Sequence, residues 1–86
     1  MKIKNSFVLR KIAGNTVALP VSDDIDLNMV ITLNDTAAFL WEHLKNDTSK
    51  EELVSLLLRE YDVDEKTAEK SVSSFIQTLR EKGFLV

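Results

Sequence analysis

Cysteine is absent from this 86-residue sequence, which excludes a disulfide framework, a thiolate nucleophile and any cysteine-based zinc site. That absence suits a reducing cytoplasm, the location expected here. Histidine occurs once, as His43. A lone histidine cannot build a metal site, and no serine is marked as its nucleophilic partner, so it reads as a solvated helix residue. The two glycines, Gly14 and Gly83, stand too far apart to cradle a phosphate, and turn and cap duty explains both. The single proline, Pro20, lacks an N–H and belongs at a strand end or on a sheet edge. Long apolar runs are missing too. None approaches the roughly 20 residues of a membrane span, and Met-Lys-Ile-Lys-Asn-Ser-Phe lacks the apolar core of a signal peptide. A net positive charge is also missing: 14 acidic residues outnumber 11 lysines and arginines, and the formal net charge of −3 argues mildly against nucleic-acid binding.

The acidic residues do not form a site. Asp24-Ile25-Asp26-Leu27-Asn28 matches the first half of a calcium loop, but the sixth and twelfth positions hold Met29 and Asp35 where glycine and a bidentate glutamate are required. The pairs Asp23/Asp24, Glu51/Glu52 and Glu60/Asp62 fall in a loop, a helix first turn and a helix end, where carboxylates serve as caps and solvated faces. No catalytic residue, cofactor or metal is expected.

What is present is an ordinary globular composition, 44% hydrophobic and 29% charged, on a length suited to one domain over residues 1–86. Residues 6–12 and 16–21 are β-rich runs around Ala13-Gly14-Asn15, which predicts a tight hairpin. Val17, Leu19 and Val21 alternate, giving the second strand one apolar face. After the polar stretch Ser22–Asp26, the third strand is expected from Met29 to Leu33, with Met29, Ile31 and Leu33 on one side. Strand orders 1-2-3 and 2-1-3 leave it at an edge, and order 1-3-2 covers it.

Three helices are expected next. Asn34 or Asp35 can cap the first, whose stripe is Ala37, Leu40, Trp41 and Leu44. Ser49 with Glu52, or Thr48 with Glu51 one register earlier, forms a capping box for the second. Its stripe of Leu53, Leu56, Leu57 and Tyr61, widened by Val54 and Leu58, marks it as the most buried helix. Asp62-Val63-Asp64 breaks the pattern and caps the third, where Ala68, Val72, Phe75, Ile76 and Leu79 align. Gly83 fits a left-handed C-terminal cap, and Phe84-Leu85-Val86 are expected to dock on the core. Three strands followed by three helices make an α+β layout.

The chain resembles the PqqD family, peptide-recognition modules also called RiPP recognition elements. The resemblance is carried by Leu33-Asn34-Asp35-Thr36-Ala37-Ala38-Phe39-Leu40-Trp41-Glu42-His43-Leu44, similar to the family's Leu-Asn-x-Thr-x-x-x-Ile-Trp-x-x-Leu signature. Glu51-Glu52-Leu53, Tyr61-Asp62-Val63, Val72-Ser73-Ser74-Phe75-Ile76, Leu79 and Gly83-Phe84-Leu85 follow in the family's order. One departure is Ser71, where the family often has an acidic residue.

The resemblance implies a winged-helix-like fold with a three-stranded antiparallel sheet followed by three helices. It also implies a non-catalytic module that binds the leader of a ribosomally made precursor peptide and presents it to a modifying enzyme, often a radical-SAM protein. The leader would add as a strand along Met29, Val30, Ile31 and Thr32, against a wall formed by Ser71, Val72, Phe75, Ile76 and Leu79. Such β-augmentation takes affinity from main-chain hydrogen bonds and specificity from side-chain pockets. Two alternatives stand beside it. In one, a winged helix binds DNA through Lys66, Lys70 and Arg80, against which the balanced charge of the third helix speaks. In the other, a structural subunit covers its exposed strand by forming a homodimer.

Overall fold

A β hairpin leads into a third strand and then three helices in the computed structural model, which describes residues 1–21 and 30–86. The half calcium loop Asp24–Asn28, its connection from Ser22, and Met29 lie outside the described residues. Strands β1 (Phe7–Ile12), β2 (Asn15–Pro20) and β3 (Ile31–Leu33) form an antiparallel sheet in the order β1-β2-β3. The hairpin loop is Ala13-Gly14, closed by the pair Ile12↔Asn15. Both loop residues have positive φ, 52° and 83°, the pattern of a two-residue turn whose twist matches the flanking strands. Asn15, expected within the turn, instead begins β2.

Register decides which face of the sheet meets the helices. Leu9 lies opposite Ala18, which lies opposite Ile31, and the neighbouring pair is Thr16↔Leu33. Phe7, Leu9, Ala18, Ile31 and Leu33 all join the hydrophobic core. The β2 row expected to be its apolar face, Val17, Leu19 and Val21, therefore lies on the side of the sheet away from the helices, where Val17 is buried but Val21 is 61% exposed. The reason is steric bulk shared across strands. Leu9 and Ile31 supply the volume on either side, so the central position takes the smallest side chain, and Ala18 is 0% exposed.

Helices α1 (Asp35–His43), α2 (Lys50–Glu60) and α3 (Glu65–Lys82) begin at side-chain caps. Asn34, rather than Asp35, accepts from the Ala37 N–H at 2.8 Å. Ser49 accepts from the Glu52 N–H at 3.1 Å, and Asp64 from the Thr67 N–H at 2.7 Å. Each satisfies one of the donors that a helix start leaves without a partner. Thr48, the rival cap for α2, is buried instead. Its hydroxyl lies 3.0 Å from both the His43 and Asn46 carbonyls, which fixes the α1–α2 connection.

The most buried helix is α3, not α2. Ala68, Val72, Phe75, Ile76 and Leu79 are buried on α3, against Leu53 and Leu57 on α2. The α2 stripe is as apolar, but α2 lies at the margin of the core, so Leu56 and Tyr61 are half-buried and Leu58 is exposed. Gly83, at φ 74°, ends α3 in the left-handed conformation. The Phe84 N–H then bonds the Leu79 carbonyl at 2.8 Å and the Gly83 N–H the Arg80 carbonyl at 3.1 Å, the paired bonds of a Schellman motif.

The two ends of the chain meet beyond that cap. Ile3 bridges Leu85 in antiparallel fashion, the Lys4 N–H donates to the Phe84 carbonyl at 2.9 Å, and the Val86 N–H to the Lys2 carbonyl at 2.9 Å. The Ile3 N–H also bonds the Leu44 carbonyl at 2.8 Å, tying this small ladder to the end of α1. Among the described residues, no helix is long and apolar enough to cross a membrane, and no group of histidines and carboxylates is arranged to hold a metal.

Candidate functional site

In the observed strand order β3 pairs with β2 on one side, and its other side pairs with no strand among the described residues. Alternate N–H and C=O groups of an edge strand point away from the sheet and can accept a further strand. Ile31 and Leu33 turn their side chains into the core while Thr32 is exposed, so core packing holds the edge in place. Asn34 then caps α1 directly after β3, which fixes the angle between the edge and the helix.

From Asn34, the residue that follows β3, an open groove of about 430 Å³ extends between the start of α1 and the middle of α3. Asn34, Thr36, Ala37 and Leu40 line one wall, and Lys70, Ser71, Ser74, Phe75 and Thr78 the other. Ala37, Leu40 and Phe75 give it apolar ground, and the remaining lining residues are polar. Such a mixture suits a ligand held by orientation-fixing polar groups over a hydrophobic floor.

The residues expected to contact a peptide divide in two. Val30, Ile31 and Thr32 form the strand edge or its approach, while Ser71 and Phe75 line the groove. Val72, Ile76 and Leu79 are buried in the core, where they hold α3 in position. Met29 lies outside the described residues. The groove also takes in Lys70, named from the sequence only as a DNA contact, and Ser74 and Thr78, to which no contact was assigned; the three repeat every four residues beside the apolar stripe. Their spacing is a legible helical row, but a search for hydrophobic periodicity passes over it.

The cations named for DNA contact are exposed on α3, but acids lie among them. Glu69 pairs with Lys50 at 3.9 Å, and Glu81 accepts from Gln77 at 3.2 Å. Helix α3 spends one side on the core and another on the groove, so no broad basic face results, and a DNA-binding reading finds no support.

Two solved structures share this architecture. One, described as "TbiB1 in Complex with the TbiA(beta) Leader Peptide", is 27% identical, with a TM-score of 0.76 over 99% of this chain and 94% of that one. The other, "Lasso peptide synthetase B1 complexed with the leader peptide", is 23% identical, with a TM-score of 0.71 over 96% of this chain and 93% of that one, a likeness of fold. No curated protein sequence matches the chain. The profile of the family described as "Coenzyme PQQ synthesis protein D (PqqD)" matches residues 16–85, which takes in β2, the open strand β3 and all three helices. By that match the chain belongs to the PqqD family.

Proposed function

We propose that this protein is a non-catalytic peptide-binding module that takes up the leader of a ribosomally made precursor peptide as an added strand along β3. The observation that carries the reading is the open edge of β3 beside the groove between α1 and α3. Strand addition supplies affinity through the backbone, and the groove receives side chains from alternate positions of the added strand. The relative solved with a leader peptide supports this reading, being similar over nearly the whole chain. The backbone of Val30, Ile31 and Thr32 meets the leader, Ser71 and Phe75 contact its side chains, and Val72, Ile76 and Leu79 act as support from behind.

In this reading residues 1–86 work as one domain in the cytoplasm and present the precursor to a modifying enzyme. The family resemblance makes a radical-SAM protein the first enzyme to test as that partner. The test is titration of isotope-labelled protein with the leader of a short precursor encoded beside its gene. Dissociation constants of about micromolar or tighter are expected, with amide shifts concentrated on residues 30–33 and on the groove face of α3. A well-folded protein that binds no such leader, or whose shifts map to the opposite sheet face, would sink the proposal.

A further inference from the structure

The groove has a one-sided charge pattern. Lys70 stands at its rim beside the hydroxyls of Ser71 and Ser74, and no carboxylate lines it among the described residues. The acids of α3 lie outside that lining, with Glu65 and Glu69 bordering Lys50 on the side facing α2. Glu69 reaches across to Lys50 of α2 at 3.9 Å, and Glu81 accepts from Gln77 at 3.2 Å. Asp35, in the first turn of α1, lies with Arg10 and Lys11 on the side facing the hairpin. The residues three and four away from Lys70 on α3 are Lys66, Thr67, Ser73 and Ser74. The helix therefore offers Lys70 no counter-ion and adds a second cation one turn before it, a like-charge pair that is unfavourable in isolation. Among the described residues, neither lysine forms an ion pair. The start of α1 lines the same groove and brings the positive end of a helix dipole.

We propose that the peptide added to β3 carries an aspartate or glutamate facing Lys70, with an apolar side chain two residues away resting on Phe75, Ala37 and Leu40. The inference rests on the strand-addition reading and specifies which peptides that site takes. A carboxylate there accepts charge-assisted hydrogen bonds from the Lys70 ammonium and from the Ser71 or Ser74 hydroxyl. The Thr78 hydroxyl is engaged already, donating to the Ser74 carbonyl at 3.1 Å. The axial distances along the helix and along a strand are compatible with that spacing. Lys70 and Phe75 are separated by about 7.5 Å of helix rise, close to the roughly 6.7 Å between residues i and i+2 of a strand running alongside.

A phage-displayed library of randomised short peptides, selected on the full chain at low salt, tests this. The recovered peptides are synthesised and mapped by amide shifts. Asp or Glu is expected at one position, with an apolar residue two away, in peptides that shift residues 30–33. Lys70→Glu, on an exposed side chain, is expected to weaken such a peptide about tenfold and to favour its counterpart with Lys in place of the acid. Peptides that shift residues 30–33 but show no acidic preference, and bind Lys70→Glu equally well, overturn the charge inference and leave strand addition standing. Selection of no binder, or of peptides that shift other surfaces, overturns both.

Discussion

Phe84 stacks face to face on Phe7, with ring centroids 4.1 Å apart and planes 18° from parallel. The contact joins the residue just past the last helix to the first strand of the hairpin. Trp41 meets the same Phe84 ring edge-on, centroids 5.7 Å apart, so one aromatic links β1, α1 and the end of α3. Buried aromatic pairs in these geometries add about 0.5–1.5 kcal/mol beyond their buried area.

Phe84→Ala removes a fully buried ring from that junction. A loss of about 3–5 kcal/mol is expected, a large share of the roughly 4–13 kcal/mol of a domain this size. Urea unfolding followed by Trp41 fluorescence measures it. A loss below about 1 kcal/mol would mean that the chain end does not organise the core.

Ala13→Asn is expected to stabilise the protein. Ala13 holds a φ of 52°, where a Cβ is strained, and it is exposed, so no packing is lost. Asn-Gly is the preferred pair for a loop with two positive φ values, and a gain of about 0.5–1 kcal/mol is expected. Thermal unfolding decides, and a lowered midpoint counts against the turn geometry.

Asp64→Asn should flatten the acid limb of the stability profile. Hydrogen bonds from the Thr67 backbone N–H and side chain hold the Asp64 carboxyl below its ordinary value of 3.8. A carboxyl with a lowered folded value binds fewer protons folded than unfolded. Its contribution is therefore present above 3.8 and is lost as pH falls through the lower folded value. Asn keeps a capping oxygen without the titration. Asp47 is lowered too, chiefly by its hydrogen bond from the Met1 amine at 2.6 Å, so part of the acid sensitivity remains in the variant. Melting curves across the acid range test this, and an unchanged slope excludes Asp64 as a contributor.

Leu79→Ala and Ser71→Trp should separate support from contact. Leu79 is fully buried, so its truncation costs about 2–5 kcal/mol. Ser71 is half-buried on the groove wall, where a tryptophan fills the space an added peptide needs. Stability within about 1 kcal/mol of the parent and leader binding weakened at least about tenfold are expected for Ser71→Trp. Equal leader affinity in parent and Ser71→Trp would place the peptide elsewhere.

Much of this architecture is legible from short stretches of chain. The caps at Asn34, Ser49 and Asp64, the stripes of α1 and α3, and the glycine that ends α3 all act over a turn or two, so composition and spacing expose them. The groove is less legible. Ser71 and Phe75 could be named from the resemblance, but Val72, Ile76 and Leu79 share its helix and face the core, and the polar row Lys70, Ser74, Thr78 carries no hydrophobic signal.

Local sequence thus determined the number, type and order of the elements, because capping, turn formation and amphipathic periodicity depend on neighbours within a few residues. Tertiary structure decided the strand order that leaves β3 open, the choice of Ala18 over Val17 for the core face, the pairing of Ile3 with Leu85, and the joining of Asn34 and Thr36 with Lys70 and Ser71 around one groove. These depend on volumes and backbone hydrogen bonds shared between residues distant in the chain, where propensity is silent.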